Sequence, residues 1–346
     1  MHIFDYSILK NGDYVEMMGL TNIIFDLRAR GALRESGNKS FFENMRKTAI
    51  VDSVESSNAI EGIVSTKDRI DEIVNKSDKP LTHDEKEIAG YSRALDEIYR
   101  SSPAPDISEE YIKHLHSLIL EETSDEAGQY KKRNNWIQER DEMGRIKVRF
   151  VPVDVKHTHE AMEQLIMAYY EARQDAEINK LLLIACFIVD FLCIHPFMDG
   201  NGRVSRLLTS LLLQEAGFNI GRYISLDKKM NYYKGNYYQA LAESSEGWHD
   251  NANNYAPFST LFLQVIYQCY KELDEKFIEG TIDTIPKGKQ IENALLNTFT
   301  PISKAELVER FPEISVKTIE KVLGEMVREG RVEKIGTYKD ARYKKS

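Results

Sequence analysis

Apolar positions along the first hundred residues recur at intervals of three and four, the spacing that gathers side chains on one face of an α-helix. Ile23, Leu27, Ala29 and Leu33 predict one buried face, and Phe42, Met45, Ala49, Val51 and Val54 a second. A polar, proline-marked break from Ser101 to Asp106 ends this run, and Ile112, Leu115, Leu118 and Ile119 resume it. The pattern changes in the middle of the chain. Arg145 to Val155 alternates basic and apolar residues, which predicts a strand, and Trp136 and Ile137 on the far side of a turn at Asp141–Gly144 complete a hairpin. Helical spacing returns over 157–176, 178–194, 201–216 (with Gly217 as its stop), 231–244 and 261–277.

Residues 278–289 carry two glycines and a proline and read as a linker. Beyond it the spacing predicts helices over 291–299, 305–310 and 316–329, then short strands over 331–335 and 338–343 around Gly336. Ser303 with Glu306 three residues later forms a capping box for the second of these helices. Three helices followed by a ribbon predict a winged helix. The expected organisation is an N-terminal helical domain (1–100), a central domain (106–278) and the winged helix (286–346), in a mostly α fold.

Charge and composition narrow the function. The 346 residues carry a net charge of -9, which argues against a surface that coats nucleic acid. Residues 286–346 depart from this, with 13 Lys plus Arg against 9 Asp plus Glu. Lys317, Thr318, Lys321, Lys334, Lys339, Arg342, Lys344 and Lys345 would form a basic footprint, although Glu313, Glu320, Glu325 and Glu329 interrupt it, so docking on DNA and docking on protein both remain open. The longest apolar run, Leu181 to Val189, stops at Asp190, and the mean hydropathy is -0.44, so no membrane span is expected. No export signal is seen, which makes the cytoplasm the expected location. Cys186, Cys193 and Cys269 have no Cys-x-x-Cys spacing and read as reduced packing residues.

The chemistry concentrates in His195 to Arg206, which reads His-Pro-Phe-Met-Asp-Gly-Asn-Gly-Arg-Val-Ser-Arg between two apolar helices. Gly200, Asn201 and Gly202 at a helix start predict an anion nest of backbone N–H groups, helped by the partial positive charge of the helix end. Arg203 and Arg206, three apart, are expected to reach further phosphates, which suits a di- or triphosphate. Asp199 at the mouth is either a magnesium ligand or a plain helix N-cap, and the adjacent nest favours the metal. His195 is positioned to take a proton from an attacking hydroxyl, with Phe197 as a buried anchor.

HPFMDGNGR, continuing to Arg206, resembles the signature His-Pro-Phe-x-Asp/Glu-Gly-Asn-Gly-Arg-x-x-Arg of the Fic (Fic/Doc) family, most of whose members transfer AMP to protein hydroxyls. The resemblance implies a Fic-type helical core, with the 145–155 strand in a flap hairpin that clamps a target protein. Gly128-Gln129-Tyr130 resembles the approach to that region, with Lys131 where the family commonly has arginine. It further implies His195 as general base and Asp199 as the holder of Mg2+. Gly200 to Gly202 and Arg203 would bind the α- and β-phosphates of ATP, Arg206 the γ-phosphate, and Val204 and Ser205 complete the motif. Tyr237 and Tyr238 resemble the family's Tyr-Tyr-x-x-Leu element at the adenine pocket. A homodimer is also suggested by the family.

Upstream, Ser57, Glu61 and Gly62 fit Ser/Thr-x-x-x-Glu-Gly/Asn, which places a hydroxyl and a carboxylate one helical turn apart. This resembles the family's inhibitory helix, in which the glutamate pairs with the second motif arginine and keeps it from the γ-phosphate, so Glu61 borders the ATP site. Some relatives use the same glutamate to remove AMP. The expected function is a self-inhibited protein adenylyltransferase acting on Ser, Thr or Tyr hydroxyls and on itself. The alternative is a DNA-binding transcriptional regulator whose Fic core senses nucleotide and modifies only itself.

Overall fold

Fourteen helices and five short strands make up the described part of the computed structural model. Described are all residues except 1, 12–13, 15–16, 77, 141–144, 285–286, 297–300, 313, 337–340 and 346. The Asp141–Gly144 turn, Glu313 and Lys339 therefore lie outside the described residues. The chain divides into two compact units, Met1–Asp274 and Glu275–Ser346.

The first unit opens with a short 3-10 turn, Tyr6–Lys10, followed by α1 (Met18–Gly37), α2 (Lys39–Ile60), α3 (Lys67–Lys76), α4 (His83–Arg100) and α5 (Glu109–Leu120). The predicted face of α1 is shifted: Ile24 and Leu27 are buried with Thr21, whereas Ile23, Ala29 and Leu33 are exposed. Packing selected the 21-24-27 stripe among several apolar stripes that the helix offers. In α2 the predicted Phe42, Ala49, Val51 and Val54 are all buried. The 101–106 break is a loop inside this unit and separates no compact units, because α4 packs against both α5 and α8 and α2 packs against α9. Gly90 makes the α4–α5 approach close, since a Cβ there would sit 2.3 Å from the Leu118 carbonyl.

Next come a hairpin of β1 (Ile137–Arg140) and β2 (Ile146–Phe150), then α6 (Thr158–Gln174), α7 (Lys180–Ile194), α8 (Asn201–Glu215), α9 (Leu226–Tyr232), α10 (Lys234–Ser245) and α11 (Ala256–Thr284). α7 is buried nearly throughout, and it packs on α6 and α8. The helix predicted over 231–244 is two helices that meet at Tyr233; the first starts at an N-cap, Ser225, whose hydroxyl accepts from the Lys228 N–H at 3.0 Å. The expected linker from 278 is helical as far as Thr284. A single interior glycine, Gly280, costs a helix only about 1 kcal/mol, which its neighbours absorb. Cys186, Cys193 and Cys269 are free and buried, as expected.

The second unit contains α12 (Lys287–Leu296), β3 (Ile302–Ser303), α13 (Lys304–Arg310), α14 (Val316–Arg328), β4 (Val332–Ile335) and β5 (Arg342–Lys345). Its sheet runs β3-β5-β4, antiparallel throughout. The capping box is present: the Ser303 hydroxyl accepts from the Glu306 N–H at 3.2 Å and the Glu306 carboxylate accepts from the Ser303 N–H at 2.7 Å. Of the predicted strand 338–343, residues 338–340 lie outside the described residues and Arg342 and Tyr343 open β5; the two-residue β3 had no legible signal. No helix among the described residues is long and apolar enough to cross a membrane.

Candidate functional site

α7 ends at Ile194 because His195 turns into the left-handed region (φ 51°), and α8 starts after Gly200 does the same (φ 76°). The six residues from His195 to Gly200 form a loop whose conformation side chains fix from several directions. The Phe197 ring is fully buried and stacks on His116 at 3.8 Å. Asn201 clasps the Phe197 backbone, its Oδ1 accepting from the N–H at 2.9 Å and its Nδ2 donating to the carbonyl at 2.8 Å. Asn135 Nδ2 donates to the carbonyls of His195 (3.2 Å) and Phe197 (2.8 Å). His116 Nδ1 accepts from the Gly128 N–H at 2.8 Å, so its Nε2 carries the proton donated to the Asp199 carbonyl at 3.1 Å. Burial lowers the pKa of His116 to about 4, which keeps that arrangement neutral.

Lys131 occupies the position where the family commonly has arginine. Its ammonium, buried with the side chain, donates to Asn135 Oδ1 at 2.9 Å and to the Ile194 carbonyl at 3.1 Å, and burial lowers its pKa to about 8. It thus satisfies a carbonyl at the end of α7 immediately before His195. His116 and Asn135 support the loop beside Lys131, and no motif announced these two.

The site itself is a cavity of about 360 Å³ lined by His195, Asp199 to Gly202, Arg206, Glu61, Tyr237 and Tyr238, with Arg149 and Phe150 from β2. His195 Nδ1 lies 3.2 Å from the Leu192 carbonyl, which assigns the proton to Nδ1 and leaves the Nε2 lone pair available. Burial, with a smaller contribution from the nearby Lys131 and Arg149, lowers its pKa to about 4 against the opposing bond to Leu192. At neutral pH the imidazole is therefore an uncharged acceptor.

Gly200 serves as the N-cap of α8 without a side-chain cap, so Asp199 is not that cap. The Asp199 carboxylate stands largely exposed at the rim and accepts from the Gly200 N–H at 2.6 Å. Gly202 is helical, and its lack of a side chain serves proximity instead: a Cβ there would fall 2.1 Å from Glu61 Oε1. The N–H groups of Asn201 and Gly202 sit in the first turn of α8, where the helix provides no partner.

Arg206 is held by the end of α2. Its Nε donates to Ser57 Oγ at 2.7 Å, and its Nη2 donates to the Ser57 carbonyl and to Glu61 Oε1, both at 2.8 Å. The Glu-Gly pair has a geometric reason. Glu61 is the C-cap, Gly62 takes φ 83°, and the N–H groups of Gly62 and Ile63 return to Ala59 and Asn58, a Schellman ending that aims Glu61 at Arg206. Lys234 Nζ donates to the Ile60 carbonyl at 2.7 Å and secures the same helix end. Tyr237 is buried beside Ser205 and Arg206, while the Tyr238 hydroxyl lies 3.5 Å from the Ile60 carbonyl.

Three of the residues expected at the nucleotide are elsewhere. Arg203 is 1% exposed and its guanidinium pairs with Glu87 of α4. Val204 and Ser205 are fully buried, with Ser205 Oγ donating to the Gly202 carbonyl at 2.7 Å. None of the three lines the cavity. Side chains at 203 and 206 share one broad helical face, but α4 on one side and α2 on the other draw the two arginines apart.

A neutral histidine and an open helix N-terminus, joined by a loop and overhung by a hairpin, define a helical domain built for handling an anionic ligand beside a proton acceptor. Residues 106–213 match the family model described as Fic/DOC family. The chain is 36% identical over 63 residues to a Fido domain-containing protein of Dictyostelium discoideum, a match covering 18% of this chain and 44%, less than half, of that protein. Its fold is similar to a Fic family protein from Desulfovibrio desulfuricans (TM-score 0.63, 18% identity, 95% of both chains). It is also similar to a Fic domain containing signaling protein from Bacteroides thetaiotaomicron (0.60, 19%, 72% of this chain and 95% of that one). A third similar structure is Fic-1 from C. elegans (0.55, 20%, 75% of this chain and 72% of that one).

Proposed function

We propose that the protein is an adenylyltransferase that moves AMP from ATP to a Ser, Thr or Tyr hydroxyl of a protein and to itself, held in check by Glu61. The observation that carries this reading is the pairing, in one cavity, of a neutral His195 with an Arg206 gripped by Ser57 and Glu61. The N–H groups of Asn201 and Gly202 and the end of α8 would bind phosphate oxygens. His195 Nε2 would take the proton as the target hydroxyl oxygen bonds to the α-phosphorus, and the bond to the β-phosphate oxygen breaks with release of pyrophosphate. Asp199 fits a magnesium ion, offering one exposed hard carboxylate at the mouth of a phosphate site. When bound, that ion would neutralise phosphate charge.

Glu61 opposes the reaction by occupying the guanidinium that the γ-phosphate needs. The same reading places the target protein at the β1–β2 hairpin near 145–155, a homodimer and a cytoplasmic location as accompanying proposals, and Glu61 as a residue that also assists removal of AMP. For the second unit, a winged helix docking on DNA or protein is the accompanying proposal. The test is incubation of wild-type, Glu61→Gly and Glu61→Gly/His195→Ala proteins with α-labelled ATP and magnesium, beside γ-labelled ATP. Label from the α position alone, raised by Glu61→Gly and lost with His195→Ala, is expected. Label from the γ position would make the reaction phosphorylation. No label, with ATP bound, would favour a core that senses nucleotide without transferring it, or one that removes AMP.

A further inference from the structure

With Arg203 committed to Glu87, the cavity holds two arginines among the described residues, Arg206 and Arg149. Arg149 comes from the hairpin, and the strand register explains its direction. Ile137 pairs with Phe150 and Gln138 with Val148, so Arg149 has no partner across the ladder and forms a β-bulge. A regular strand would send residues 149 and 150 to opposite faces; the bulge lets both line the cavity. One N–H of Arg149 donates to the backbone carbonyl of Tyr238 at 3.1 Å, which steers the guanidinium across the cavity without neutralising it. A guanidinium has five N–H donors, so others remain for a ligand. Its charge also contributes to the lowered pKa of His195, which places it within electrostatic reach of the proton acceptor.

We propose that Arg149 is the cavity's second phosphate-binding arginine, receiving the phosphate chain of a nucleoside di- or triphosphate in the role that spacing had assigned to Arg203. The inference rests on the nucleotide reading given above. It has a mechanical consequence: the strand that would hold a target segment also holds the phosphates, so ordering the hairpin and binding nucleotide reinforce each other.

The test is calorimetric titration, with magnesium, of adenosine and of α,β-methylene ATP, whose α–β bridge cannot be cleaved, into the full chain and into Arg149→Ala and Arg149→Gln, each also carrying Glu61→Gly to release Arg206. The expected result is a loss of triphosphate affinity of about 10- to 100-fold in both Arg149 variants with adenosine affinity unchanged. Arg149→Gln keeps an amide donor for the Tyr238 carbonyl and decides the matter if Arg149→Ala fails to fold. Triphosphate affinity equal to that of the parent overturns the proposal, as does an equal loss for adenosine, which would mark a general disturbance of the cavity. Failure of the parent to bind the triphosphate overturns the nucleotide reading itself, and this proposal with it.

Discussion

The two units treat buried charge in opposite ways. The second is held by a plain apolar cluster that includes Ile291, Leu295, Leu307, Ile319, Leu323, Met326 and Val332, and no polar side chain among its described residues is buried. The first buries Glu87, Lys131, Asp190, Arg203, Arg206 and Asp227, each with at least one polar or ionic partner, although Arg203 Nε has none. Such groups lower stability unless every partner stays in place, so their concentration around one loop marks where this chain trades stability for chemistry. In the second unit chemistry is confined to the surface.

The largest effect should come from the centre of that loop. In the Glu61→Gly background, His195→Ala is expected to reduce AMP transfer by about 10²- to 10⁴-fold without loss of ATP affinity, measured with α-labelled ATP. Next comes the buried pair behind it. Glu87→Ala leaves the buried Arg203 cation with only the exposed Asp199 carboxylate, 3.8 Å away, and should destabilise the first unit by about 3 kcal/mol in urea unfolding, while the double change to methionine at 87 and 203 recovers most of the loss. The exposed Lys304–Glu320 pair of the second unit, removed in the same way, should leave unfolding unchanged. Equal responses in the two units would remove the contrast.

A third measurement concerns Asp190, buried in α7 and accepting from Tyr6, Trp248 and Tyr255 at 2.7–2.8 Å. Burial pushes its pKa up to about 7 against those bonds, while burial lowers that of the adjacent His2 to about 4. The unfolded chain sheds the aspartate proton near pH 4 and the folded chain only near 7, so this group lowers stability as pH rises through that interval, by up to about 1.4 kcal/mol per pH unit. His2 acts in the opposite sense between about pH 4 and 6.5, because there the unfolded chain holds the extra proton. The two slopes offset each other until about pH 6.5, above which the decline due to Asp190 stands alone. Asp190→Asn should therefore make the stability profile climb more steeply from about pH 4 to 6.5 than that of the parent, by up to about 1.4 kcal/mol per pH unit.

Legibility in the sequence followed the same division. The loop from His195 to Gly200 could be read because its chemistry is local: a histidine, an acidic residue and glycines in fixed order. Ser57, Glu61 and Gly62 could be read because helix geometry alone sets a hydroxyl and a carboxylate one turn apart. Arg203 could not, since its direction depends on Glu87, distant in sequence and carrying no pattern of its own. Arg149 was hidden because a bulge reverses the alternation on which a strand reading rests. Asn135 and His116 act on backbone groups of the loop, and backbone partners leave no trace in residue spacing; Lys131 was marked only by its place after Gly128-Gln129-Tyr130. In the fold, the buried face of α2 was legible from periodicity and that of α1 was not, because α1 offers apolar residues on more than one side.

The smallest effect should lie on the surface of the second unit, where Lys317 and Lys321 of α14 and Lys334 of β4 are exposed. If these lysines meet DNA phosphates, each alanine substitution removes one released counterion, and the slope of log affinity against log salt should fall by ~0.9 per contact. Stability should not change, because none of the three contributes to the apolar cluster. The measurement is fluorescence anisotropy on a labelled duplex from low to physiological salt, using the full chain. A slope reduced in step with the number of lysines replaced would place DNA on this face. Binding that is absent, or that keeps its slope in all three variants, would take DNA off this face.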